Sequence, residues 1–254
     1  MPKPLWSRFS KADRENRIPL VVRSLVVRSG RALAIIDPGM GGRYDSADLA
    51  RMAVDPSLGS LAATLRRQGI PPEEITHAVL THLHFDHIAG LGRAEGTGVA
   101  LELPQAKVLI HRRQWERAQA PGPKERRSYR PEDIDLLRRA DPVLIDGAAE
   151  VLPGLFVSPT EGHTRGLMAV EVRGSKERIF YPTDLIPTLA HIRLPFTTGF
   201  DLWPEQLLIE KEAILSAASR PDAWIAFVHD PRTAAAGVVH SDEGYTIRER
   251  LAEF

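Results

Sequence analysis

The most constraining feature of this 254-residue chain is the heptapeptide Thr-His-Leu-His-Phe-Asp-His at residues 81–87. Its donor side chains, of the kind that bind zinc or iron, are His82, His84, Asp86 and His87. Burying such groups without partners would cost about 1 to 3 kcal/mol for each neutral one and more for the carboxylate. We therefore interpret the heptapeptide as a metal-binding turn, with a solvated polar loop as the alternative.

The spacing of these donors favours two ions rather than one. Residues 77–81 are short and mostly apolar and predict a strand that leads into the turn. Side chains at i and i+2 of an extended segment point the same way, so His82 and His84 can close on one ion. Asp86 and His87 come after the chain has begun to turn and can address a second ion nearby.

The pattern HxHxDH after a strand resembles the signature of the metallo-β-lactamase superfamily. Three later segments resemble further stations of that family, in the family's order: His163 in a Gly-His-Thr turn, Asp184 at the end of residues 180–184, and His229 after residues 225–228. The resemblance implies an α/β fold, an αβ/βα sandwich of two mixed sheets with helices on the outer faces. It covers most of the chain, which we expect to form a single domain over residues 1–254.

The resemblance also implies two divalent metal ions with a shared bridging ligand. The ligands would be His82, His84 and His163 for one ion, Asp86, His87 and His229 for the other, and Asp184 between them. Near the N-terminus, Asp37 in Asp-Pro-Gly is similar to a family aspartate that supports the ligand turn without touching a metal. On its own, that tripeptide is a turn signal. We expect zinc, with iron or manganese as alternatives that the same donors accept.

Composition narrows the donor chemistry and the partners. The chain has no cysteine, so disulfides and thiolate ligands are excluded. Lys plus Arg equals Asp plus Glu at 33 each, so no overall field attracts nucleic acid or an anionic membrane. No apolar run approaches the roughly 20 residues that span a bilayer, and no signal-peptide core is seen, so we expect a cytoplasmic protein that acts on a small molecule.

Hydrophobic periodicity predicts elements that suit this fold. Residues 19–27 and 31–36 predict two strands joined at Ser29-Gly30. Helices are predicted over 57–68, where Leu58, Leu61, Ala62 and Leu65 share a face, over 112–118, and over 204–218. Further strands are predicted over 107–110, 155–157, 167–172, 178–181 and 223–228.

The predicted chemistry is hydrolysis. Two adjacent cations lower the pKa of a shared water from 15.7 towards about 7, so that a bridging hydroxide can attack a polarised carbonyl or phosphoryl group. Asp86 would orient that hydroxide and pass its proton to the leaving group. The chain is most similar to the lactonase-like branch, which implies an ester or lactone of a small molecule as substrate. Phosphodiester, phosphotriester or thioester hydrolysis is the alternative, and a non-haem iron oxidoreductase of the same fold is a further one.

Several positions leave the substrate open. The bridging aspartate commonly follows glycine in the family, but here it follows Thr183, and Pro187 stands where acyl-homoserine lactonases place a tyrosine. Residues 112–142 predict a helical insertion beside the site opening or, equally, a solvated loop. His191 is a candidate substrate contact, with a structural histidine as the alternative, and Asp230 would either orient a ligand imidazole or cap the following turn. The exposed insertion makes a homodimer a further expectation.

Overall fold

The computed structural model describes residues 2–55, 57 and 59–252, which divide into two compact units. The first, here the central unit, is Ser24–Asp146, and the second, the terminal unit, combines Met1–Arg23 with Gly147–Phe254. The strands are β1 (Leu25–Ser29), β2 (Ala32–Ile36), β3 (His77–Leu80), β4 (Gly92–Glu95), β5 (Gly98–Leu101), β6 (Lys107–His111), β7 (Val143–Ile145), β8 (Ala149–Leu152), β9 (Leu155–Thr160), β10 (Leu167–Arg173), β11 (Arg178–Tyr181), β12 (Ala223–Ala226), β13 (Ala235–Ser241) and β14 (Gly244–Leu251). The helices are α1 (Lys3–Trp6), α2 (Ser46–Met52), α3 (Leu61–Arg67), α4 (Phe85–Ile88), α5 (Arg112–Gln119), α6 (Pro131–Arg139) and α7 (Pro204–Ala218).

The central unit is built on a five-stranded sheet in the order β1-β2-β3-β6-β7. β1 and β2 form the predicted antiparallel hairpin, and Gly30 at its turn has a φ of 57°, which a residue without a Cβ adopts at no steric cost. The other neighbours are parallel, so β2 and β3 end at the same edge of the sheet. That edge therefore receives both Asp37, which follows β2, and the heptapeptide, which follows β3.

The terminal unit is built on a seven-stranded sheet in the order β14-β13-β12-β11-β10-β9-β8. Its neighbours are antiparallel except β11 and β12, which run parallel and end at the same edge. Helix α7 contributes Leu215 and Ala218 to an apolar core with Ile225 and Phe227. Because β11 leads to Asp184 and β12 leads to His229, the one parallel pair of this sheet delivers two of the predicted ligands together.

Two predicted elements differ from the structure in their bounds. The strand predicted over 19–27 is regular only from Leu25, because the backbone before it bonds elsewhere: Val21 N donates to His229 O at 3.4 Å and Arg23 N to Val228 O at 3.0 Å. The helix predicted over 57–68 is observed as α3, whose N-terminus is capped by the hydroxyl of Ser60. Leu58, which we had assigned to its apolar face, lies outside the described residues.

The segment of residues 112–142 contains α5 and α6, as the prediction of helical material required. The segment packs against the rest of the central unit, because its apolar residues belong to the same core as residues of β3. These residues are Ala118, Tyr129, Ile134 and Leu137. The assignment of this segment as an insertion in a single domain stays a prediction. Among the described residues, no helix has both the length and the apolar character needed to cross a membrane.

Candidate metal centre

The central unit brings its predicted ligands together on one turn. His82, His84 and His87 are buried, and their rings are neighbours, with centroids 4.6 Å apart for His82 and His84 and 4.0 Å apart for His82 and His87. Asp86 keeps 27% of its side-chain surface exposed, and its Oδ2 lies 3.7 Å from His87 Nε2. A carboxylate at the open side of buried imidazoles can reach both a metal and a substrate.

Asp37 makes hydrogen bonds to this turn from the end of β2. Its carboxylate accepts hydrogen bonds from Thr81 N at 2.8 Å and from the Thr81 hydroxyl at 2.7 Å. Oδ2 also lies 3.0 Å from Nδ1 of His87. The backbone of Asp37 has a φ of 51°, a left-handed conformation that aspartate tolerates better than most residues. The fully buried carboxylate therefore ties the end of β2 to the turn after β3.

These contacts fix which ring nitrogen faces away. Because the Asp37 carboxylate only accepts, His87 donates Nδ1–H to it and Nε2 faces away. The hydroxyl of Thr81 donates to Asp37, so it accepts from Nδ1 of His82 at 3.2 Å. Both rings thus carry their Nδ1 hydrogen into these contacts, which leaves Nε2 as the nitrogen that can bind a metal.

A close backbone approach supports the same turn. Gly39 N donates to His87 O at 2.9 Å, and Gly90 N donates to Gly39 O at 2.7 Å. A Cβ at Gly90 would lie 2.2 Å from the carbonyl oxygen of Pro38, a distance that no real contact allows. Glycine at position 90 is therefore required for Asp37 to reach the heptapeptide.

The terminal unit brings its three predicted ligands together around one carboxylate. Asp184 Oδ2 lies 3.2 Å from His163 Nε2, and Asp184 Oδ1 lies 3.1 Å from His229 Nε2. His163 comes from the turn after β9, Asp184 from the 3-10 turn Thr183–Leu185, and His229 from the segment after β12. One carboxylate oxygen directed to each imidazole is the arrangement that a ligand shared between two ions needs.

The far nitrogens of these two histidines are also engaged. Nδ1 of His163 lies 2.8 Å from Asp201 Oδ1, and Asp201 is itself fixed because Oδ2 accepts from Thr198 N at 2.6 Å. Nδ1 of His229 lies 2.8 Å from the carbonyl oxygen of Val21. Both oxygens are acceptors, so each ring donates from Nδ1 and turns Nε2 towards Asp184.

The turn that carries His163 is clamped by α7. The carboxylate of Glu210 accepts from Glu161 N at 2.8 Å and from Gly162 N at 2.9 Å. A Cβ at Gly162 would lie 2.3 Å from Leu207 Cα, so the turn packs directly on the helix backbone. The glycine of the Gly-His-Thr pattern is explained by this packing.

Thr183 occupies a position where glycine would be conformationally easier. Its φ is 49°, a left-handed conformation that is costly for a β-branched residue. Thr183 is fully buried, and its hydroxyl has no hydrogen-bond partner among the described residues. The departure from the family's usual glycine therefore stores strain directly before Asp184.

His191 has a structural environment. Its Nδ1 lies 2.8 Å from the hydroxyl of Thr188. Burial, together with the nearby charge of Lys211, lowers the pKa of His191 to about 4. Lys211 is fully buried and donates to three carbonyl oxygens, those of residues 193, 194 and 196, at 2.7 to 3.0 Å, while burial lowers its pKa to about 7. A substrate-binding role for His191 stays a prediction.

Asp230 caps the turn that follows His229. Its Oδ1 accepts from Arg232 N at 2.9 Å and from Thr233 N at 2.8 Å, and Oδ2 accepts from Leu189 N at 3.0 Å. Of the two roles considered from the sequence, the capping role is the one that these bonds describe.

Sequence reasoning missed three residues of the surroundings. The hydroxyl of Thr81 links Asp37 to Nδ1 of His82. Asp201 orients His163 although the two residues are 38 positions apart. Glu125, from the segment of residues 112–142, has Oε2 at 3.9 Å from Nε2 of His84. Thr81 was visible as the first residue of the heptapeptide, but no sequence signal marked Asp201, which lies between Phe200 and Leu202, or Glu125, which is one of many charged residues in its stretch.

The donor chemistry fits divalent metal ions. Asp37, His82 and His87 offer donor atoms that lie within 4.8 Å of one another, and in the terminal unit Asp184 faces two imidazole nitrogens. Buried imidazoles with one ring nitrogen available to a metal, together with carboxylates, are the set that zinc, iron and manganese accept.

Comparison with known proteins places this geometry in context. The family model described as the metallo-beta-lactamase superfamily matches residues 17–229. A probable metal-dependent hydrolase from Staphylococcus aureus is 27% identical, with a TM-score of 0.88, over 100% of this chain and 89% of that one. AidC, a dizinc quorum-quenching lactonase in complex with a product, N-hexnoyl-L-homoserine, has a TM-score of 0.73 at 19% identity, over 92% of this chain and 80% of that one.

Among curated relatives, the chain is similar to an N-acyl homoserine lactonase from Bacillus thuringiensis. The two are 25% identical over 169 residues, which cover 65% of this chain and 60% of the relative. The chain therefore spans about three fifths of the length of that relative.

Proposed function

This chain belongs to the metallo-β-lactamase superfamily, and from that premise we propose that it is a metal-dependent hydrolase with a binuclear centre that opens an ester or lactone bond of a small molecule. The proposal assigns His82, His84, Asp86 and His87 of the central unit and His163, Asp184 and His229 of the terminal unit to one centre. Two divalent ions, zinc by preference, are its cofactors.

One observation carries the proposal, namely the arrangement around Asp184. A carboxylate that directs one oxygen to each of two imidazoles is suited to be shared by two ions. A structural aspartate needs no such symmetry, because one hydrogen bond from a protonated histidine would satisfy it. The hold on Nδ1 of His163 and His229 supports the same reading, since it leaves Nε2 as the coordinating atom.

Bound divalent cations supply Lewis-acid activation of water and of a substrate carbonyl oxygen. The residues of the chain do the rest. Asp37 holds Nδ1 of His87, and the carboxylate of Asp86 beside it keeps 27% of its side-chain surface exposed. Asp86 can therefore accept a proton from the attacking water and deliver it to the leaving oxygen.

The choice of an ester or lactone rests on likeness to relatives whose names describe lactonases. The aromatic ring of Phe85 lies in the ligand turn, with Tyr44 packed edge-on against it at 6.5 Å and the guanidinium of Arg130 over it at 4.8 Å. An apolar ring flanked by a cation is a surface on which the acyl part of a substrate can lie. Phosphodiester, thioester and oxidative chemistry are rivals that the experiment below separates.

The test is an activity panel on protein loaded with two equivalents of zinc, manganese or iron. Aliphatic lactones, acyl-homoserine lactones, p-nitrophenyl esters, phosphodiesters, phosphotriesters and thioesters are compared by kcat/KM. We expect the highest kcat/KM on a lactone or carboxylic ester. Asp86→Asn is the loss-of-function variant, because it keeps the shape of the side chain while it removes the proton acceptor and a charged proposed ligand.

Two results would contradict the proposal. If phosphodiesters or thioesters were turned over best, the substrate class would be wrong while the centre would stand. If no hydrolysis appeared with any metal, but the iron-loaded protein consumed oxygen, the reaction class itself would be wrong. A single domain, a homodimer, a cytoplasmic location and the absence of nucleic-acid partners stay predictions.

A further inference from the structure

We propose that Glu125 is a positioning residue for His84 and that this contact is what the segment of residues 112–142 contributes to the site. The inference rests on the proposed function, because it concerns how a metal ligand is held. It starts from a difference between His84 and the other four histidines of the ligand set.

The other four histidines share one pattern, in which Nδ1 faces an oxygen at 2.8 to 3.2 Å. The oxygens belong to Thr81 for His82, Asp37 for His87, Asp201 for His163 and Val21 for His229. In His84 the nitrogen that faces a carboxylate is Nε2, and the carboxylate is Glu125, at 3.9 Å. At 3.9 Å Glu125 is an ion-pair neighbour of Nε2 rather than a hydrogen-bond acceptor, and the contact directs Nε2 towards the carboxylate and leaves Nδ1 of His84 for the metal.

Glu125 is itself fixed in a way that keeps one oxygen for His84. Its side chain is 3% exposed, and its Oε1 pairs with Nε of Arg117. Oε2, the oxygen that faces His84, also lies 3.2 Å from the hydroxyl of Tyr129. The ring of Tyr129 packs edge-on against the His84 ring at 5.1 Å, so the same residue restrains both partners.

An ion pair with Arg117 does not by itself explain why Glu125 is buried. Removing both charges from water costs several kcal/mol each, and a buried pair often stabilises no more than apolar residues of the same volume. The Tyr129 hydroxyl lies 3.1 Å from Gln114 Oε1 as well, so polar groups of α5 and of the loop that follows it converge near one imidazole. A buried polar network directed at a proposed metal ligand serves to fix that ligand.

Metal binding measures this role directly. The metal-free full-length protein is titrated with zinc against a competing chromophoric chelator, and the visible spectrum of the cobalt-substituted protein reports the coordination of each ion. Wild type should take up two ions. We expect Glu125→Gln to weaken one of the two zinc affinities by about 10- to 100-fold, to leave the other unchanged, and to alter the cobalt spectrum. Tyr129→Phe, which keeps the ring, should weaken the same affinity by only a few fold.

Glu132→Gln is the matched control, because Glu132 is an exposed carboxylate of the same segment, and it should match wild type. The thermal midpoint of each metal-free variant reports folding separately from metal binding. Wild-type zinc affinities and an unchanged cobalt spectrum in Glu125→Gln would overturn the inference. If Glu125→Gln does not fold, Tyr129→Phe decides, and an unchanged affinity there would overturn it. A wild-type protein that takes up no ions would instead refute the proposed function.

Discussion

The two units provide their ligands in opposite ways. In the central unit four donors lie within six consecutive positions, and a single aspartate from the neighbouring parallel strand holds the turn. In the terminal unit three donors come from three separate segments, and each histidine has its own support, Asp201 in one case and the Val21 carbonyl in the other. In the central unit Asp37 supports two positions of the turn at once, whereas in the terminal unit each histidine has a separate support.

We expect the largest loss of activity when one proposed ligand is removed from either unit, and this comparison tests whether the two groups of ligands are equally required. His82→Ala in the central unit and Asp184→Asn in the terminal unit should each lower turnover by about 10³-fold or more, because either change removes a proposed metal ligand. Steady-state kinetics and metal content measured on the same preparations check this. Loss of activity in only one of the two variants would mean that the groups do not serve one centre.

The next effect concerns the close approach behind the central ligand turn. Gly90→Ala should lower the free energy of unfolding by about 3 kcal/mol, because the new methyl group collides with the Pro38 carbonyl. Gly96→Ala is the control: Gly96 has open space around it, and its positive φ of 57° alone should cost only about 1 kcal/mol. Equal losses in urea denaturation would show that the approach of Gly90 to Pro38 is not tight.

The two supporting aspartates, Asp37 and Asp201, should differ in how strongly they affect zinc affinity. Asp37→Asn should weaken zinc binding by about 100-fold and Asp201→Asn by about 10-fold, because Asp37 holds Thr81 and His87 together while Asp201 orients one imidazole. Competition titrations with a chelator measure both affinities. A larger loss of zinc affinity in Asp201→Asn than in Asp37→Asn would contradict the view that Asp37 supports more than one position of the ligand turn.

A pH effect belongs to the terminal unit. The pKa of His191 is lowered to about 4 by burial, so between pH 6.5 and 4 the unfolded chain binds a proton that the folded chain does not. The free energy of unfolding should therefore fall as the pH drops through this window. Urea denaturation of metal-free protein should show a shallower fall in His191→Asn, and His240→Asn, at an exposed histidine, should behave as wild type. A slope unchanged by His191→Asn would remove His191 as a source of acid sensitivity.

The smallest effect is a gain. Thr183→Gly should raise the free energy of unfolding by about 1 kcal/mol, because it relieves a left-handed β-branched residue and removes a buried hydroxyl without a partner among the described residues. The thermal midpoint of the metal-free protein measures it. A lowered midpoint would mean that the threonine methyl group packs better than its backbone suggests.

The same contrast explains what the sequence could predict. The fold class and the family are confirmed by the family match and by the likeness to the staphylococcal structure. The heptapeptide could be recognised as a metal-binding turn because its alternating histidines and its turn lie in one continuous stretch. His163, Asp184 and His229 could be assigned only by resemblance, since nothing local links them. The ligand assignments themselves remain predictions.

The rest depended on tertiary contacts. Asp201 and Glu125 act across 38 and 41 positions, and their roles follow from packing that no local pattern encodes. The hairpin of β13 and β14 was not predicted, although Tyr245 and Ile247 alternate with polar residues after the turn at Gly244. The strand over 19–24 failed because its backbone bonds to the segment around His229 instead of continuing β1.

The number of metal equivalents that activity requires tests most directly whether hydrolysis depends on two bound ions. Metal-free protein is titrated with zinc, and hydrolysis of the best lactone or ester substrate is followed together with bound metal. We expect turnover to rise to a plateau at two equivalents per chain and to be abolished by a chelator. Full turnover in the metal-free protein, or a plateau at one equivalent, would contradict it.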